Sequence, residues 1–113
     1  MTERLPAHLE AAALLRRAEA AGGFGTVLHK GDPDRGALIL FLTSRGTHHA
    51  CLERTLGPTG CYDWHRAGPE AGAGQETIAD WSYKRVRFDS DSWLIELDVP
   101  LPERFVAETI SQG

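Results

Sequence analysis

The chain begins with apolar residues at helical spacing. On a helical wheel, one arc of about 100° carries Ala7, Ala11, Leu14, Leu15 and Ala18. This pattern predicts a helix over residues 7–21. Pro6 suits the first turn of that helix, and Gly22 suits its end because glycine readily adopts the left-handed backbone that closes a helix.

Four segments then show the alternating or continuous apolar pattern of β-strands, with turn-forming residues between them. Strands are predicted at residues 24–30, 37–44, 48–54 and 61–66. The second strand is apolar on both faces, which is typical of a strand at the centre of a sheet beneath helices. Pro, Asp and Gly within residues 31–36 favour a hairpin turn, and the four strands are predicted to form an antiparallel meander.

A second helix is predicted over residues 75–87, where apolar residues again recur at helical spacing. A last strand follows at residues 93–99, and the prolines just after it end the strand. Residues 103–110 have the spacing of a short terminal helix. The predicted fold class is α+β in the order α-β-β-β-β-α-β, with a mostly antiparallel sheet and two helices packed on one face.

Composition agrees with a folded domain. The 113 residues are 42% apolar and 25% charged, values that exclude disorder, collagen and coiled coil as classes. A chain of this length accommodates one hydrophobic core. A single domain is therefore predicted over residues 1–113, with residues 1–6 and 111–113 frayed at its ends.

Charge and targeting features narrow the choice of partner and compartment. Twelve Lys and Arg against sixteen Asp and Glu give a net charge of −4. This balance disfavours a nucleic-acid partner, because binding to phosphate backbones depends on clustered cations. No run of about 18 apolar residues is present, so no membrane partner is expected. With no signal-peptide pattern and two cysteines, the protein is predicted to be cytoplasmic with free thiols.

Three segments carry a resemblance to a known family. They are residues 12–17, AALLRR; residues 22–36, GGFGTVLHKGDPDRG; and residues 87–98, RFDSDSWLIELD. In this order they resemble a family of small bacterial proteins known only as a domain of unknown function. Residues 48–74 depart from the family pattern, above all in their His and Cys content. The resemblance implies a single-domain cytosolic bacterial protein of similar length, and it implies no activity and no catalytic residues.

His and Cys residues on the third and fourth strands form one candidate group. His49 and Cys51 share one face of a predicted strand, and Cys61 and His65 share one face of the next. If the hairpin register brought these faces together, Cys51 and His65 would be cross-strand neighbours and suitable zinc ligands. The spacing matches no established zinc pattern. We interpret the four as weak metal candidates on a half-buried face; no metal or cofactor is predicted, and the compartment disfavours a Cys51–Cys61 disulfide.

Arg85 is a second candidate, because it lies within the apolar arc of the second helix, where an unpaired charge is prohibitive. Glu96 and Asp98 on the last strand are its predicted partners. Either these residues form a structural ion pair, or Arg85 belongs to an anion site together with Lys84 and Arg87.

The favoured hypothesis for function is a non-enzymatic module that binds a protein partner or a second copy of itself. No set of nucleophile, base and oxyanion donors can be assembled from the sequence, so no catalytic residue is predicted. Aromatic residues are enriched at protein interfaces, and Tyr62 and Trp64 on the fourth strand are the predicted interaction residues. A homodimer is the simplest such assembly.

The alternative hypothesis is a divalent-metal-dependent hydrolase, similar in its order of elements to Mg²⁺-dependent nucleases of the restriction type. Asp34 precedes the second strand and Glu53 lies on the third, where such enzymes carry metal-binding carboxylates. The lysine expected two residues after the glutamate is replaced by Thr55. The analogy therefore rests on the order of elements alone.

Overall fold

The computed structural model describes residues 5–112. Within this range the helices are α1 (Ala7–Ala20), α2 (Gln75–Phe88) and α3 (Pro102–Gln112), and the strands are β1 (Phe24–His29), β2 (Leu38–Ser44), β3 (Thr47–Leu56), β4 (Tyr62–Arg66) and β5 (Trp93–Asp98). Every predicted element is present, with ends that differ by at most two residues. None of these three helices is long and apolar enough to cross a bilayer.

The five strands form one open sheet in the order β1-β5-β2-β3-β4. Only β2 and β5 run parallel; the other neighbours are antiparallel. The predicted α+β class and mostly antiparallel sheet are confirmed. The predicted hairpin between β1 and β2 is wrong, because β5 lies between these strands. The two strands buried on both faces, β2 and β5, occupy the centre, whereas the largely exposed β1 lies at an edge.

Helices α1 and α3 cover one face of the sheet. The alanine-rich stripe of α1 packs there, as its spacing predicts, together with Phe105 and Val106 of α3. The sheet contributes alternate residues of its central strands to this core, namely Leu38, Leu40, Leu42, Ala50, Leu52, Trp93, Ile95 and Leu97. The interleaved residues of the same strands therefore point to the opposite face.

Helix α2 covers that opposite face. Its residues Ile78, Trp81 and Val86 pack against a smaller core of Ile39, Phe41, Cys51 and Leu94. Two helices do share one face of the sheet, but they are α1 and α3. The prediction paired α1 with α2, and α2 lies on the opposite face. The apolar pattern of β2 accounts for this arrangement, since both of its faces need cover.

Residues 1–4 and 113, part of the segments predicted to fray, lie outside the described residues. At the C-terminal end, α3 continues to Gln112. At the N-terminal end, the amides of Ala7 and His8 donate to the carbonyls of Asp34 and Pro33, at 3.2 and 2.9 Å. These bonds tie the start of α1 to the segment between β1 and β2.

A candidate ligand groove beside helix α2

Helix α2 covers only part of its face of the sheet, and none of its residues is fully buried. A groove with a volume of about 750 Å³ remains open between this helix and the sheet, and we call it the α2 groove. Its lining consists of Leu28, His29, Thr43, Gly46, Thr47, His48, Leu94 and Glu96 from the strands and one turn, and of Gly72, Ala73, Gly74, Gln75, Ile78, Ala79, Ser82, Tyr83 and Val86 from α2 and the segment before it.

Apolar side chains make up much of this lining. Leu94 is buried in the sheet beneath the groove, and Ile78 and Val86 are half-buried on the helix. Leu28 and Tyr83 remain 47% and 62% exposed. An apolar molecule in the groove would therefore cover apolar surface on both the helix and the edge of the sheet.

A β-bulge brings His48 into the α2 groove. The register between β2 and β3 shifts after Leu42, which pairs with Ala50, so that Thr43 pairs with His48. The extra residue in β3 is His49. The His48 ring consequently lies on the α2 side of the sheet, with its centroid 6.2 Å from that of Phe41.

His48 is buried and uses only one of its two ring nitrogens. Nε2 lies 3.0 Å from the carbonyl oxygen of Pro69 and donates a hydrogen bond to it, since a carbonyl only accepts. Nδ1 is buried and has no hydrogen-bond partner. When Nε2 donates, Nδ1 of a neutral ring carries a lone pair, and no donor among the described residues faces it here.

Ser82 of α2 also lines the groove, and its Oγ is a second buried polar atom without a partner. Leaving such an atom unpaired costs about 1–3 kcal/mol. Most buried polar atoms in folded proteins are paired for this reason, and exceptions concentrate where a ligand or water completes the set. Two such atoms therefore belong to residues that line the same groove.

His29 and Glu96 supply the more accessible polar groups of the groove. Nδ1 of His29 donates to the carbonyl oxygen of Ser92 at 2.9 Å, which leaves Nε2 as the acceptor of a neutral ring. Glu96 lies on β5 between Thr26 of β1 and Phe41 of β2. Its carboxylate is half-buried and forms no ion pair with any other described residue.

The turn between β2 and β3 closes one end of the groove. Asp98 anchors it, because its carboxylate accepts hydrogen bonds from the amides of Arg45 and Gly46, both at 3.0 Å. Both turn residues have positive φ, 51° and 81°. The hydroxyl of Thr43 lies 3.3 Å from Oδ2 of Asp98 and donates to it. Asp98, one of the two predicted partners of Arg85, therefore stabilises this turn instead.

Arg85 forms an ion pair with a different carboxylate from those predicted. Its Nη1 lies 2.7 Å from Oε2 of Glu53, and its Nε donates to Ser92 Oγ at 3.3 Å. Glu53 follows Cys51 on the α2 face of β3, directly beneath the helix. Glu96 and Asp98 lie on β5, where one faces the groove and the other holds the turn.

The four weak metal candidates lie in different surroundings. His49 Nδ1 is 3.5 Å from Oε1 of Glu103 on α3, Cys61 is exposed, and His65 pairs with Glu53 in the strand register. The register that would make Cys51 and His65 direct neighbours is absent. Among residues 5–112, no three His, Cys, Asp or Glu side chains converge as a metal site requires.

Cys51 is a buried free thiol packed under α2. Burial, and secondly the charge of Glu53, raise the pKa of this thiol to about 12, despite an opposing effect of Arg85. The thiolate is the nucleophilic form of cysteine. The thiol of Cys51 is therefore protonated and unreactive at neutral pH.

Tyr62 and Trp64 lie on β4, which is an edge strand. Trp64 is half-buried and packs against the core beneath α1 and α3. The ring of Tyr62 lies 5.3 Å from the guanidinium of Arg54. Both aromatic residues therefore have intramolecular contacts, while the outer side of their strand has no strand neighbour among residues 5–112.

Asp34 and Glu53, the carboxylates of the hydrolase hypothesis, have different roles in the fold. Asp34 is exposed in the turn before β2, where its amide donates to Asp32 Oδ1 at 2.8 Å. Glu53 is half-buried in its ion pair with Arg85. Glu53 is thus neutralised by an intramolecular partner.

Sequence reasoning missed the polar groups of the α2 groove. It placed His49 and Cys51 on one face, because strict alternation along β3 leaves no room for a bulge. Nothing in the sequence marks that bulge, so His48 was assigned to no site. His29 and Ser82 carry no motif either, and they become neighbours of one cavity only through the sheet order and the position of α2.

Fold and groove together define a small α+β protein with a five-stranded mixed sheet, helices on both faces, and a ligand-sized groove beside one helix. The chain belongs to the DUF1491 family, described as a protein of unknown function, whose family model matches residues 5–107. The resemblance found in the sequence is thereby confirmed.

Solved structures of relatives have the same fold. A crystal structure of a DUF1491 family protein from Caulobacter crescentus CB15 is 27% identical, with a TM-score of 0.71 over 82% of this chain and 86% of that one. The NMR structure of a family protein from the same organism is 26% identical, with a TM-score of 0.74 over 88% and 89%. A solution structure of a protein from A. tumefaciens is 28% identical, with a TM-score of 0.72 over 86% and 87%. Comparison with curated proteins gives no match.

Proposed function

We propose that this protein is a non-enzymatic binding module and that the α2 groove holds a small, largely apolar ligand. The observation that carries this proposal is the pair of buried, unpartnered polar atoms, His48 Nδ1 and Ser82 Oγ, among the residues that line one groove. A volume of about 750 Å³ lies within the range of small-molecule sites, which are mostly apolar with a few polar groups that orient the ligand.

Ligand binding offers a way to meet the unpaired hydrogen-bonding capacity. Neither atom contacts solvent in the structure, so a ligand group reaches them only when α2 moves slightly outward. The packing of α2 suits such a movement, because only Ile78, Trp81 and Val86 anchor its apolar side and none is fully buried. The pair of Arg85 and Glu53 holds the C-terminal half of the helix.

Two residues on this face that could act in catalysis, Cys51 and Glu53, are not available for it, which supports a non-enzymatic role. Burial keeps the Cys51 thiol protonated at neutral pH, and Glu53 is neutralised by Arg85. Neither Cys51 nor Glu53 therefore supplies the free thiolate or carboxylate that a nucleophile or a general base requires. The hydrolase alternative through Asp34 and Glu53 stays a hypothesis that no contact in the described residues favours.

Titration of isotope-labelled protein with 2-phenylethanol tests the groove directly. We expect saturable shifts of the backbone amide signals of Gly72, Gly74 and Leu94, which line the groove. The variant Ala79→Trp, at an exposed helix position in the lining, fills the groove and should abolish these shifts. The matched control Ala107→Trp, at an exposed position of α3 on the other face, should retain them. Equal behaviour of the two variants, or no saturable shift in the parent protein, contradicts the proposal.

A protein partner or a second copy of this chain is the second candidate, with the β4 edge as its contact. The outer side of β4 has no neighbour among the described strands, and unpaired main-chain groups on an edge strand can extend a sheet into another chain. Tyr62 and Trp64 lie on this strand. Free cysteines, one buried and one exposed, suit the cytoplasmic location that we propose for the module.

Light scattering during size-exclusion chromatography tests self-association. If β4 pairs with its copy, the mass should double as the concentration rises, and Asp63→Pro on this edge should restore the monomer. The control Thr59→Pro places proline at an exposed position in the turn before β4 and should leave the mass unchanged. A mass of one chain at every concentration contradicts the homodimer.

A further inference from the structure

We propose that the ligand of the α2 groove is an organic cation: an ammonium or similar N–H group on an apolar aromatic or aliphatic body. This inference rests on the proposed function, because it assigns a chemical class to the occupant of the same groove. It follows from which hydrogen-bonding roles the lining side chains still have available.

The ring nitrogens that remain free in the groove are acceptors. His48 donates from Nε2 to Pro69, and His29 donates from Nδ1 to Ser92. In a neutral imidazole the second nitrogen then carries a lone pair and accepts. Two histidines thus present acceptors, although histidine in general could present either role.

Most of the other polar groups in the lining can also accept hydrogen bonds. Glu96 contributes a carboxylate, which only accepts when ionised. The Thr43 hydroxyl uses its proton within the sheet, near Leu97 O and Asp98 Oδ2. Thr47, Ser82 and Tyr83 each keep a hydroxyl proton and Gln75 carries an amide group, so the lining retains donors beside its acceptors. A ligand rich in N–H donors matches the set better than a ligand rich in acceptors.

The charged side chains in the lining also favour a cationic ligand. The lining includes the carboxylate of Glu96 but no Lys or Arg side chain. On α2 itself, Arg85 pairs with Glu53, Lys84 pairs with Asp80, and Arg87 donates to Tyr83 Oη at 3.2 Å. A carboxylate in a half-buried apolar groove favours a cation over a neutral or anionic molecule of the same shape.

Three probes of matched shape separate charge from shape: phenethylammonium, 2-phenylethanol and 3-phenylpropionate. We expect the dissociation constant, from amide shifts at pH 7.5, to be about three- to tenfold lower for the ammonium than for the alcohol, with the carboxylate weakest. Glu96→Gln preserves the shape of the side chain and should remove this preference. Glu76→Gln removes the same charge from an exposed position of α2 outside the lining and should leave the preference intact.

The outcomes distinguish this inference from the function on which it rests. Equal affinity for the ammonium and the alcohol, with both displaced by Ala79→Trp, overturns the cation and leaves the groove as a site. An equal loss of the preference in Glu96→Gln and Glu76→Gln also overturns it, because the preference would then not arise in the groove. Absence of saturable binding by all three probes overturns the proposed function together with the inference.

Discussion

At the scale of single residues, burial and pairing decide which of the reactive groups are available. Cys51 has the chemistry of a nucleophile, but its position between the sheet and α2 leaves it protonated. Arg85 has the chemistry of an anion site, but Glu53 neutralises it at 2.7 Å. His48 reverses the pattern, because it is buried and yet keeps one nitrogen unpaired.

The two thiols should differ in reactivity. At pH 8 in native protein, a thiol reagent should modify exposed Cys61 readily and Cys51 at least about a hundredfold more slowly, because the thiolate is the reacting form. Denaturant should make both thiols react, and Cys61→Ser should remove the fast phase. Two fast phases in native protein would contradict the buried position of Cys51.

The same raised pKa predicts a loss of stability at alkaline pH. The unfolded thiol loses its proton near the ordinary value of 9.0, whereas the folded thiol keeps it until about 12. Unfolding therefore releases a proton between these values, and the contribution of Cys51 to the free energy of unfolding falls as pH rises through this window. Cys51→Ala should flatten the alkaline slope measured by urea denaturation relative to Cys61→Ser.

The ion pair of Arg85 should contribute to stability. The side chains of Arg85 and Glu53 are 16% and 15% exposed. Arg85→Met therefore leaves the largely buried Glu53 without its cation. We expect a loss of about 1–3 kcal/mol in the free energy of unfolding, and Glu53→Gln in the same protein should recover part of it, because it removes the unpaired charge. Lys84→Met, which breaks an exposed pair with Asp80, should change it by less than about 0.5 kcal/mol. Equal losses from Arg85→Met and Lys84→Met would show that the pair has no structural role.

At the scale of elements, the sheet depends on close backbone approaches around β5. A Cβ on Gly23 would lie 1.9 Å from the carbonyl oxygen of Asp98, at the end of β5. Similar approaches occur at Gly31 and Gly36, both 2.0 Å from the carbonyl oxygen of Asp91, just before β5. Glycines in the segments beside β1 and β2 therefore allow β5 to fit between these two strands.

Substitution of Gly23 should show this requirement. Gly23→Ala pushes a methyl group into main chain rather than into a flexible side chain, so we expect a loss of more than about 2 kcal/mol in the free energy of unfolding, measured by urea denaturation. The control Gly74→Ala adds a methyl group where no atom lies within 4 Å. It should change stability by less than about 1 kcal/mol. Equal effects would contradict a steric role for Gly23.

At the scale of the whole molecule, the sequence predicts the elements well and their arrangement less well. Periodicity is a local property, so α1, the strands and α2 could be located from it. The insertion of β5 between β1 and β2 depends on pairing between distant segments, which no local pattern encodes. The α2 groove depends on that insertion and on the bulge near His48, so the site could not be predicted from the residues alone.

The central position of β5 has a consequence for how the protein is made. Residues 24–29 of β1 leave the ribosome before their strand partner, residues 93–98, has been synthesised. Until then, β1 has no neighbour and β2 lacks one of its two. The nascent protein therefore completes its sheet from the middle, and only after residues 93–98 have been translated.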